Sequence, residues 1–431
     1  MQTSCLRISC HSLFITKLCV LCIVAMSMAM TTSAASVETD RTWYLAGEAM
    51  KVSVTAGETP VLPDADDAMI AYAEVCDMYG LAAGVAVSLK GGKGTGVIEL
   101  PSDLHSGYYV LSAYTRHDTT VSQRLIAIVN PLRKSEDDDI EWVKITHPDS
   151  LSYAAAGNGE RLSAVEGAVV KAAGVRETEG HVIYARVRNV FDGHTFSGGQ
   201  VSPSLSIIGK QIHYFEGKMV NDSIAVFNTF GIHGKHPLVL SAISYTGASL
   251  PVEMISPFAT LLPKQLPHLF FHYQRSEVEA RSIDMQRHQR VNIPDAPLDY
   301  DNTVFGIKPD LTYNLDEYRQ FLTIREVLLE YVIRVKKIKS NGISRLVVRK
   351  EQGLYDSAWP TLVLIDGMPV IDTERLLSYD ARRIHYINIY DDQYTFGHGV
   401  YNGILSFVSR SGQLTNYPTE TNMQYLEYNF P

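Results

Sequence analysis

Between residues 37 and 131, hydrophobic positions follow a two-residue period that is interrupted by turn residues. In the segments 85–89 and 109–114, apolar side chains recur at every second position, which is the period of a β-strand with one buried face. Strand-like runs lie at 51–54, 69–75, 85–89, 96–100, 108–114 and 123–129. Because so many short strands in about 90 residues are typical of two packed antiparallel sheets, the pattern predicts a β-sandwich over residues 37–131.

A second group of strand-like runs follows after a weakly patterned stretch. These runs lie at 181–187, 205–208, 211–215, 224–227 and 237–243. They predict a second sandwich-like domain within residues 132–250. The charged run 133–139 at its start has almost nothing to bury and lacks the spaced Asp and Gly residues of a calcium loop, so we expect a solvated linker there.

Residues 251–300 have a mixed composition that is rich in Pro, His and Arg. Ser276 and Glu279 have the spacing of a capping box ahead of a short helix. We therefore expect this region to be a linker with a short helix that bridges two domains.

The last part of the chain changes from a two-residue to a helical period. Thr323 and Glu326 have capping-box spacing, and an amphipathic helix of about three turns is predicted after them. Its apolar face consists of Ile324, Val327, Leu328, Tyr331 and Val332. Strand-like runs follow at 343–348, 361–365, 384–390 and 404–409, with a short helix at 373–377. This order predicts a small α+β domain over residues 301–415, with the first helix covering its sheet, and a tail at 416–431.

The N-terminus has the pattern of a secretory signal peptide, predicted over residues 1–35. Arg7 and Lys17 precede an apolar or small run at 18–30, and the small residues Ser33 and Ala35 follow. A membrane anchor is the alternative, but a helix of this run would cover only about 20 Å of a roughly 30 Å hydrocarbon core. The sequence thus predicts export.

Cysteine content and charge narrow the possible functions. Cleavage of the leader would leave Cys76 as the single cysteine, which permits neither an internal disulfide nor a CxxC zinc or redox centre. It would also leave 36 basic and 47 acidic residues, a formal charge of −11. This balance disfavours nucleic-acid binding, which needs clustered Lys and Arg.

Candidates for chemistry are weak. Residues 91–96 read G-G-K-G-T-G, which lacks the order of a phosphate-binding loop and favours a hairpin turn. Two close histidine pairs, His233 with His236 and His268 with His272, have no Glu or Cys at a metal-ligand spacing. The sequence therefore predicts no catalytic, cofactor-binding or metal-binding residue and no enzyme.

Two motifs in the first predicted sandwich carry a family resemblance. Residues 44–48 read Y-L-A-G-E, and residues 100–115 read L-P-S-D-L-H-S-G-Y-Y-V-L-S-A-Y-T. Together they resemble the macroglobulin-like (alpha-2-macroglobulin family) sandwich domains of exported Bacteroidetes proteins. Some macroglobulins are protease traps with a thioester built from Cys and Gln. Cys76 lacks the motif for this bond, so we expect a buried structural cysteine.

Two motifs in the predicted α+β domain carry a second resemblance. Residues 362–370 read L-V-L-I-D-G-M-P-V, and residues 396–404 read F-G-H-G-V-Y-N-G-I. The region 323–412 is similar to the plug domain of TonB-dependent outer-membrane receptors. The resemblance implies that Asp366 and Gly367 form the turn after a buried strand, and that Gly397 and Gly403 allow backbone turns. The 19 residues after Gly412 are too few for a barrel with strands of about 9 to 11 residues, so a transporter is not expected.

The predicted function follows from export, sandwich domains and the lack of a recognisable reaction centre. We expect a non-enzymatic cell-envelope binding or scaffold protein, accessory to an outer-membrane receptor or transport complex. It would lie in the periplasm, at the outer membrane or on the cell surface, without a transmembrane segment after leader cleavage. Its partner would be another envelope protein or a surface glycan. The alternatives are a barrel-less remnant of a longer TonB-receptor-like protein and a macroglobulin-type protease inhibitor without thioester.

Overall fold

The computed structural model is mainly β, as the sequence predicts. It describes residues 35–56, 69–116, 121–143, 180–208, 212–291, 303–340, 343–350, 359–410 and 422–431. The predicted signal peptide lies outside these residues, apart from Ala35. The chain divides into unit 1, formed by residues 1–174 and 260–278, and unit 2, formed by residues 175–259 and 279–431.

Unit 1 contains a β-sandwich. Its strands are β1 Ser36–Thr39, β2 Trp43–Leu45, β3 Ala49–Thr55, β4 Met69–Cys76, β5 Leu81–Leu89, β6 Lys93–Glu99, β7 Gly107–Thr115, β8 Ser122–Val129 and β9 Ile140–Trp142, with β19 Leu269–Phe271. One sheet has the order β1-β3-β6 and the other β2-β8-β7-β4-β5. Alternate residues of facing strands, such as Val52 and Ala73, are buried in one core, and all six predicted strands are present.

Two glycine-containing sequence motifs of unit 1 form turns between strands. Gly91 and Gly92 have φ of 58° and 77° and form a tight turn closed by an antiparallel bridge between Lys90 and Lys93. The turn confirms that the segment is not a phosphate loop, although β5 and β6 then enter different sheets. In the Y-L-A-G-E motif, Gly47 has φ of 85°, and Glu48 Oε2 accepts a hydrogen bond from Leu45 N at 2.9 Å. The motif therefore fixes the turn between β2 and β3.

The two predicted linkers have different outcomes: the charged run 133–139 is mostly exposed and contains no strand, as expected, whereas the region 251–300 contributes strands to two sheets. Within the charged run, Asp138 Oδ1 accepts a hydrogen bond from Ser106 N at 2.6 Å. Strand β9 follows this run and pairs in parallel with β19, a strand of the second predicted linker. A carboxylate that accepts hydrogen bonds from backbone N–H groups orders a charged segment, even where the sequence alone suggests that the segment is fully solvated.

The second sandwich lies in unit 2. Its strands are β10 His181–Val187, β11 Val190–Phe191, β12 His194–Thr195, β13 Val201–Ile207, β14 His213–Glu216, β15 Lys218–Met219, β16 Ile224–Thr229, β17 Gly234–Ser244 and β18 Val252–Ile255, with β27 Gln424–Phe430. One sheet has the order β15-β16-β10-β18 and the other β14-β13-β17-β27. The expected tail at 416–431 is thus wrong for its described part: Tyr428 and Phe430 are buried in the sandwich core.

Helix α1, Arg275–Val291, has 17 residues and exceeds the short helix expected there. No Gly or Pro interrupts it, so nothing in the sequence stops it early. Strand β18 precedes it in the chain and pairs with β10. The region 251–300 therefore contributes to both units.

The α+β region of unit 2 has its own sheet. Its elements are β20 Leu311–Asn314, α2 Ile324–Glu330, β21 Val335–Ser340, β22 Ile343–Val348, β23 Leu362–Ile365, β24 Met368–Pro369, α3 Thr373–Leu377, β25 Ile384–Phe396 and β26 Gly399–Ser409. The sheet order is β20-β25-β26-β23-β24, and β21 pairs with β22 as a separate hairpin. Strands β23 and β26 are parallel.

Helix α2 covers this sheet as predicted, but it is shorter than about three turns. Its capping box is present: Glu326 N donates to Thr323 Oγ1 at 3.3 Å, and Thr323 N donates to Glu326 Oε2 at 3.0 Å. The helix ends at Glu330 with Tyr331 as its C-cap. Leu328 is buried in a core that also includes Val239 of β17, so the α+β region packs against the second sandwich through this strand.

Candidate functional site

Three of the four histidines in the two pairs have a side-chain contact. His233 Nδ1 lies 2.6 Å from Pro431 O, and His236 Nε2 lies 2.9 Å from His233 O. In the second pair, His268 Nδ1 forms a hydrogen bond with Asp139 Oδ1. Across the described ranges, no group of three or more His, Cys, Asp or Glu side chains could hold a metal ion.

Cys76 is buried at the end of β4. Burial raises the pKa of its thiol to about 12, so the thiol stays protonated and weakly nucleophilic at neutral pH. The position agrees with a structural cysteine.

Glu74 is a buried carboxylate that holds a distant piece of unit 1. Its Oε1 accepts a hydrogen bond from Leu261 N at 2.7 Å, and its Oε2 accepts from Thr260 N at 3.1 Å. Tyr114 Oη also donates to Oε2 at 3.0 Å. Thr260 has φ of 58°, which a β-branched residue rarely adopts. Glu74 therefore fixes a strained segment at Thr260, and these three hydrogen bonds are called the Glu74 clasp.

Glu216 lies where the second sandwich meets the α+β sheet. Tyr401 Oη donates a hydrogen bond to Glu216 Oε2 and lies 3.0 Å from Tyr214 Oη. Burial raises the pKa of Glu216, although the Tyr401 hydroxyl and His398 oppose this shift. A carboxyl with a raised pKa is a usual mark of acid–base chemistry. Here the Tyr401 hydroxyl contacts both the Glu216 carboxyl and the Tyr214 hydroxyl. This arrangement fits a structural contact between the two sheets.

Asp366 has the architectural place that the plug resemblance implies. Asp366 and Gly367 have φ of 46° and 89° and form the turn between β23 and β24. The Asp366 carboxylate is also buried and accepts hydrogen bonds from Ser409 N at 2.7 Å and Ser409 Oγ at 2.5 Å. Gly397 and Gly403 both have positive φ.

One end of the second sandwich gathers three loops, at residues 188–200, 219–223 and 245–251, which together are called the apolar loop end. The flanking strand residues are paired as Arg186 with Ile224, Val187 with Val252 and Val201 with Ser244. Hydrogen bonds join the loops to one another: Gly198 N donates to Asp222 Oδ1 at 2.9 Å, and Tyr245 N donates to Gln200 O at 2.8 Å. The three loops are therefore held in a fixed arrangement.

Large apolar side chains project into solvent from each of these loops. Their exposed fractions are 52% for Val190, 46% for Phe191, 58% for Val220 and 64% for Tyr245. The first two belong to the β11–β12 hairpin, whose turn residues Asp192 and Gly193 have φ of 48° and 75°. Grouped exposed apolar side chains on a rigid scaffold are typical of a protein-binding surface.

A basic hairpin borders the apolar loop end. A Cβ at Gly247 would lie 3.0 Å from Ile343 Cδ1, so the β21–β22 hairpin contacts the loop at 245–251. Its exposed basic side chains include Lys336, Lys339 and Arg345.

No protein-family model matches the chain, and no curated protein matches it in sequence. Among solved structures, it is similar to the D0-D1 domain of intimin, with 16% identity and a TM-score of 0.19 over 55% of this chain and 97% of the other. A biofilm-associated protein BSP domain shows 12% identity and a TM-score of 0.18 over 56% and 32% of the two chains.

Trypsin-activated alpha-2-macroglobulin from Escherichia coli shows 11% identity and a TM-score of 0.20 over 53% of this chain and 16% of the other. The matches therefore span a third or less of the BSP-domain and macroglobulin chains. Similarity at this level says nothing about the function of the chain.

The sequence contains one signal for the apolar loop end. Asp192-Gly193 is a strong hairpin dipeptide, and it follows two apolar residues. The exposure of Val220 and Tyr245 depends on the tertiary fold and has no local signal. Within the described residues, no helix is long and apolar enough to cross a membrane.

Proposed function

We propose that this chain is a non-enzymatic binding protein of the cell envelope and that its apolar loop end recognises another protein. The observation that carries the proposal is the group of four large apolar side chains on three joined loops. Because hydrogen bonds order these loops before a partner binds, less conformational entropy is lost on binding. The exposed aliphatic side chains of Val190 and Val220 favour a protein partner over a glycan, because sugars offer little apolar surface to aliphatic groups.

Export and envelope location remain part of this proposal. They are supported by the leader pattern and by the acidic balance of the mature chain, which keeps an exported protein soluble. The plug-like region serves as a folded part of the binding protein and not as a gate, since the core under α2 includes Val239 of the second sandwich.

Photocrosslinking in intact envelopes tests the proposal. A benzophenone amino acid at position 191 should give a reproducible protein adduct, and Tyr245→Ser in the same chain should reduce its yield. The matched control carries the same group at Tyr79, an aromatic residue of unit 1 that is 69% exposed. Identical adducts from both positions, or no adduct from position 191, would contradict the proposal.

A further inference from the structure

The basic hairpin of β21 and β22 concentrates positive charge in an acidic chain. Residues 334–350 contain seven Lys or Arg and no Asp or Glu, whereas the formal charge of the whole chain is −9. Two of the seven are paired: Arg334 with Asp391 at 3.0 Å, and Lys337 with Glu374. The other five have no carboxylate partner among the described residues: Lys336, Lys339, Arg345, Arg349 and Lys350. The fold therefore leaves most of this positive charge without a neutralising group.

The two faces of the basic hairpin have different surroundings. The buried face consists of Val335, Leu346 and Val348, which belong to the core under α2. Because successive strand residues point to opposite faces, their neighbours form the other face, called the outer face. It consists of two cross-strand pairs: Lys336 with Val347, and Ile338 with Arg345.

The outer face alternates cations with aliphatic side chains, both along and across the strands. Lys336 and Arg345 are exposed, whereas Ile338 and Val347 are half-buried. Lys and Arg stems can lie along such aliphatic groups while their charged ends extend to an anion. The face thus offers charge and apolar surface to the same ligand.

The unpaired cations are spread out and do not converge on one point. From Arg345 to Lys350 the chain advances five positions, which at the rise of a strand is about 17 Å. A single small anion cannot contact charges over such a distance. A surface with many anionic groups can, and clusters of four to eight Lys or Arg are typical of binding to anionic lipid headgroups.

We propose that the outer face of the basic hairpin binds the surface of a bilayer that contains anionic lipids. The charged ends of Lys336 and Arg345 would lie among the lipid phosphates, while Ile338 and Val347 pack against the upper part of the acyl chains. An acidic glycan would match the charges but would leave both aliphatic side chains against a polar ligand. This surface has its own ligand chemistry, and the proposal does not rest on protein recognition by the apolar loop end.

Co-sedimentation with lipid vesicles tests the proposal. The protein is the chain of residues 35–431, which leaves out the apolar segment 18–30, because that segment could itself insert into a bilayer. We expect binding to phosphatidylcholine vesicles with about 30% phosphatidylglycerol and no measurable binding to pure phosphatidylcholine. Each basic residue near an anionic surface contributes about fivefold in partitioning, so Lys336→Gln with Arg345→Gln should lower it about 25-fold. Raising the salt to about 0.5 M should also weaken binding strongly.

Two further double variants are the controls. Lys51→Gln with Lys93→Gln removes the same charge from exposed positions on β3 and β6 of unit 1 and should leave vesicle binding unchanged. Lys336→Arg with Arg345→Lys keeps both charges, and binding should stay within about twofold, since a diffuse headgroup layer does not need the fixed fork of one guanidinium. All variants should keep the melting temperature of the unchanged chain, because the four positions are exposed.

Four results would overturn the proposal. The first is equal binding to anionic and neutral vesicles, and the second is an equal loss for the unit 1 variant. A large loss when Lys336 and Arg345 exchange types would show a stereospecific anion site in place of a membrane surface. Polygalacturonate or an acidic protein that binds through these two residues when vesicles do not would show that the ligand is a soluble polyanion.

Discussion

The two units attach a distant stretch of chain to a sandwich by different means. In unit 1 the Glu74 clasp holds Thr260 and Leu261 through side-chain acceptor atoms, and only three register pairs join the following strand β19 to β9. In unit 2 the strand β27 joins β17 through seven register pairs, from Gly234 with Phe430 to Leu240 with Gln424. A clasp depends on one carboxylate, whereas a strand depends on many backbone bonds and on buried side chains. Single substitutions should therefore damage the first much more easily than the second.

Removal of residues 424–431 should have the largest effect. It exposes the edge of β17 and removes the buried side chains of Tyr428 and Phe430, which contribute about 3 to 6 kcal/mol together. Denaturant unfolding should show this loss, and hydrogen exchange with mass spectrometry should locate it in β17 and β13. Deletion of Pro431 alone keeps the strand and is the control. If β17 kept its protection after the longer deletion, the strand would not be an integral part of the sandwich.

Leu328→Ala should cost about 2 to 5 kcal/mol, because it leaves a cavity under helix α2. The neighbouring Leu329 is 74% exposed, and Leu329→Ala should change the free energy of unfolding by less than about 0.5 kcal/mol. Equilibrium urea unfolding of both variants checks this difference. Equal effects of the two substitutions would mean that α2 does not cover the core as described.

The sequence predicts local helices and strands better than it predicts the pairing of segments that lie far apart in the chain. Strands with a two-residue period, such as His181–Val187, and the helix Thr373–Leu377 agree with the sequence patterns to the residue, because local spacing determines them. Leu426, Tyr428 and Phe430 also have a two-residue period, but their partner strand begins almost two hundred residues earlier. Pairing over that distance depends on the tertiary fold, so this segment looked like a tail.

The candidate sites were predictable only in part for the same reason. The turn at Asp366 and Gly367 follows from its dipeptide and its resemblance to a plug domain. Glu74 within a strand shows no sign that its hydrogen-bond donors lie 186 and 187 positions away. The exposure of Leu329 and Phe191 depends on what the rest of the fold leaves uncovered.

Glu74→Ala should cost about 1 to 3 kcal/mol, since two partly or fully buried N–H groups lose their acceptor. Trp43 and Trp142 report on the segment directly, because their rings lie 5.2 and 5.3 Å from that of Phe271. We expect a red shift of tryptophan emission at a lower urea concentration than in the unchanged chain. Trp359→Phe in both proteins removes the remaining tryptophan signal.

Thr260→Gly is the complementary change in the same clasp. It keeps Glu74 and relieves the backbone strain at φ of 58°, so it should cost less than Glu74→Ala or stabilise the unit slightly. A greater loss for Thr260→Gly than for Glu74→Ala would show that the Thr260 side chain, and not the carboxylate, holds the segment.

The smallest effect is expected where exposed ion pairs join elements of unit 2. Glu374 on α3 pairs with Arg325 of α2 at 2.7 Å and with Lys337 of the β21–β22 hairpin. Hydrogen bonds from Lys337, Ser344 and Arg325 lower the pKa of Glu374 from 4.5 to about 2. A carboxyl with a lowered pKa in the folded state adds stability above its unfolded pKa and loses it as the pH falls through the folded value.

Glu374→Gln should therefore lower the melting temperature at pH 7 by no more than about 2 °C, because exposed ion pairs contribute little. The difference from the unchanged chain should shrink as the pH falls from 4.5 toward 2, and 1 M salt at pH 7 should reduce it as well. Glu330→Gln makes the same charge change on exposed α2, where no ion pair is present among the described residues, and should leave the melting temperature almost unchanged. A difference that grew on acidification would show that Glu374 is stabilised in its neutral form, and these ion pairs would then not join the helices to the hairpin.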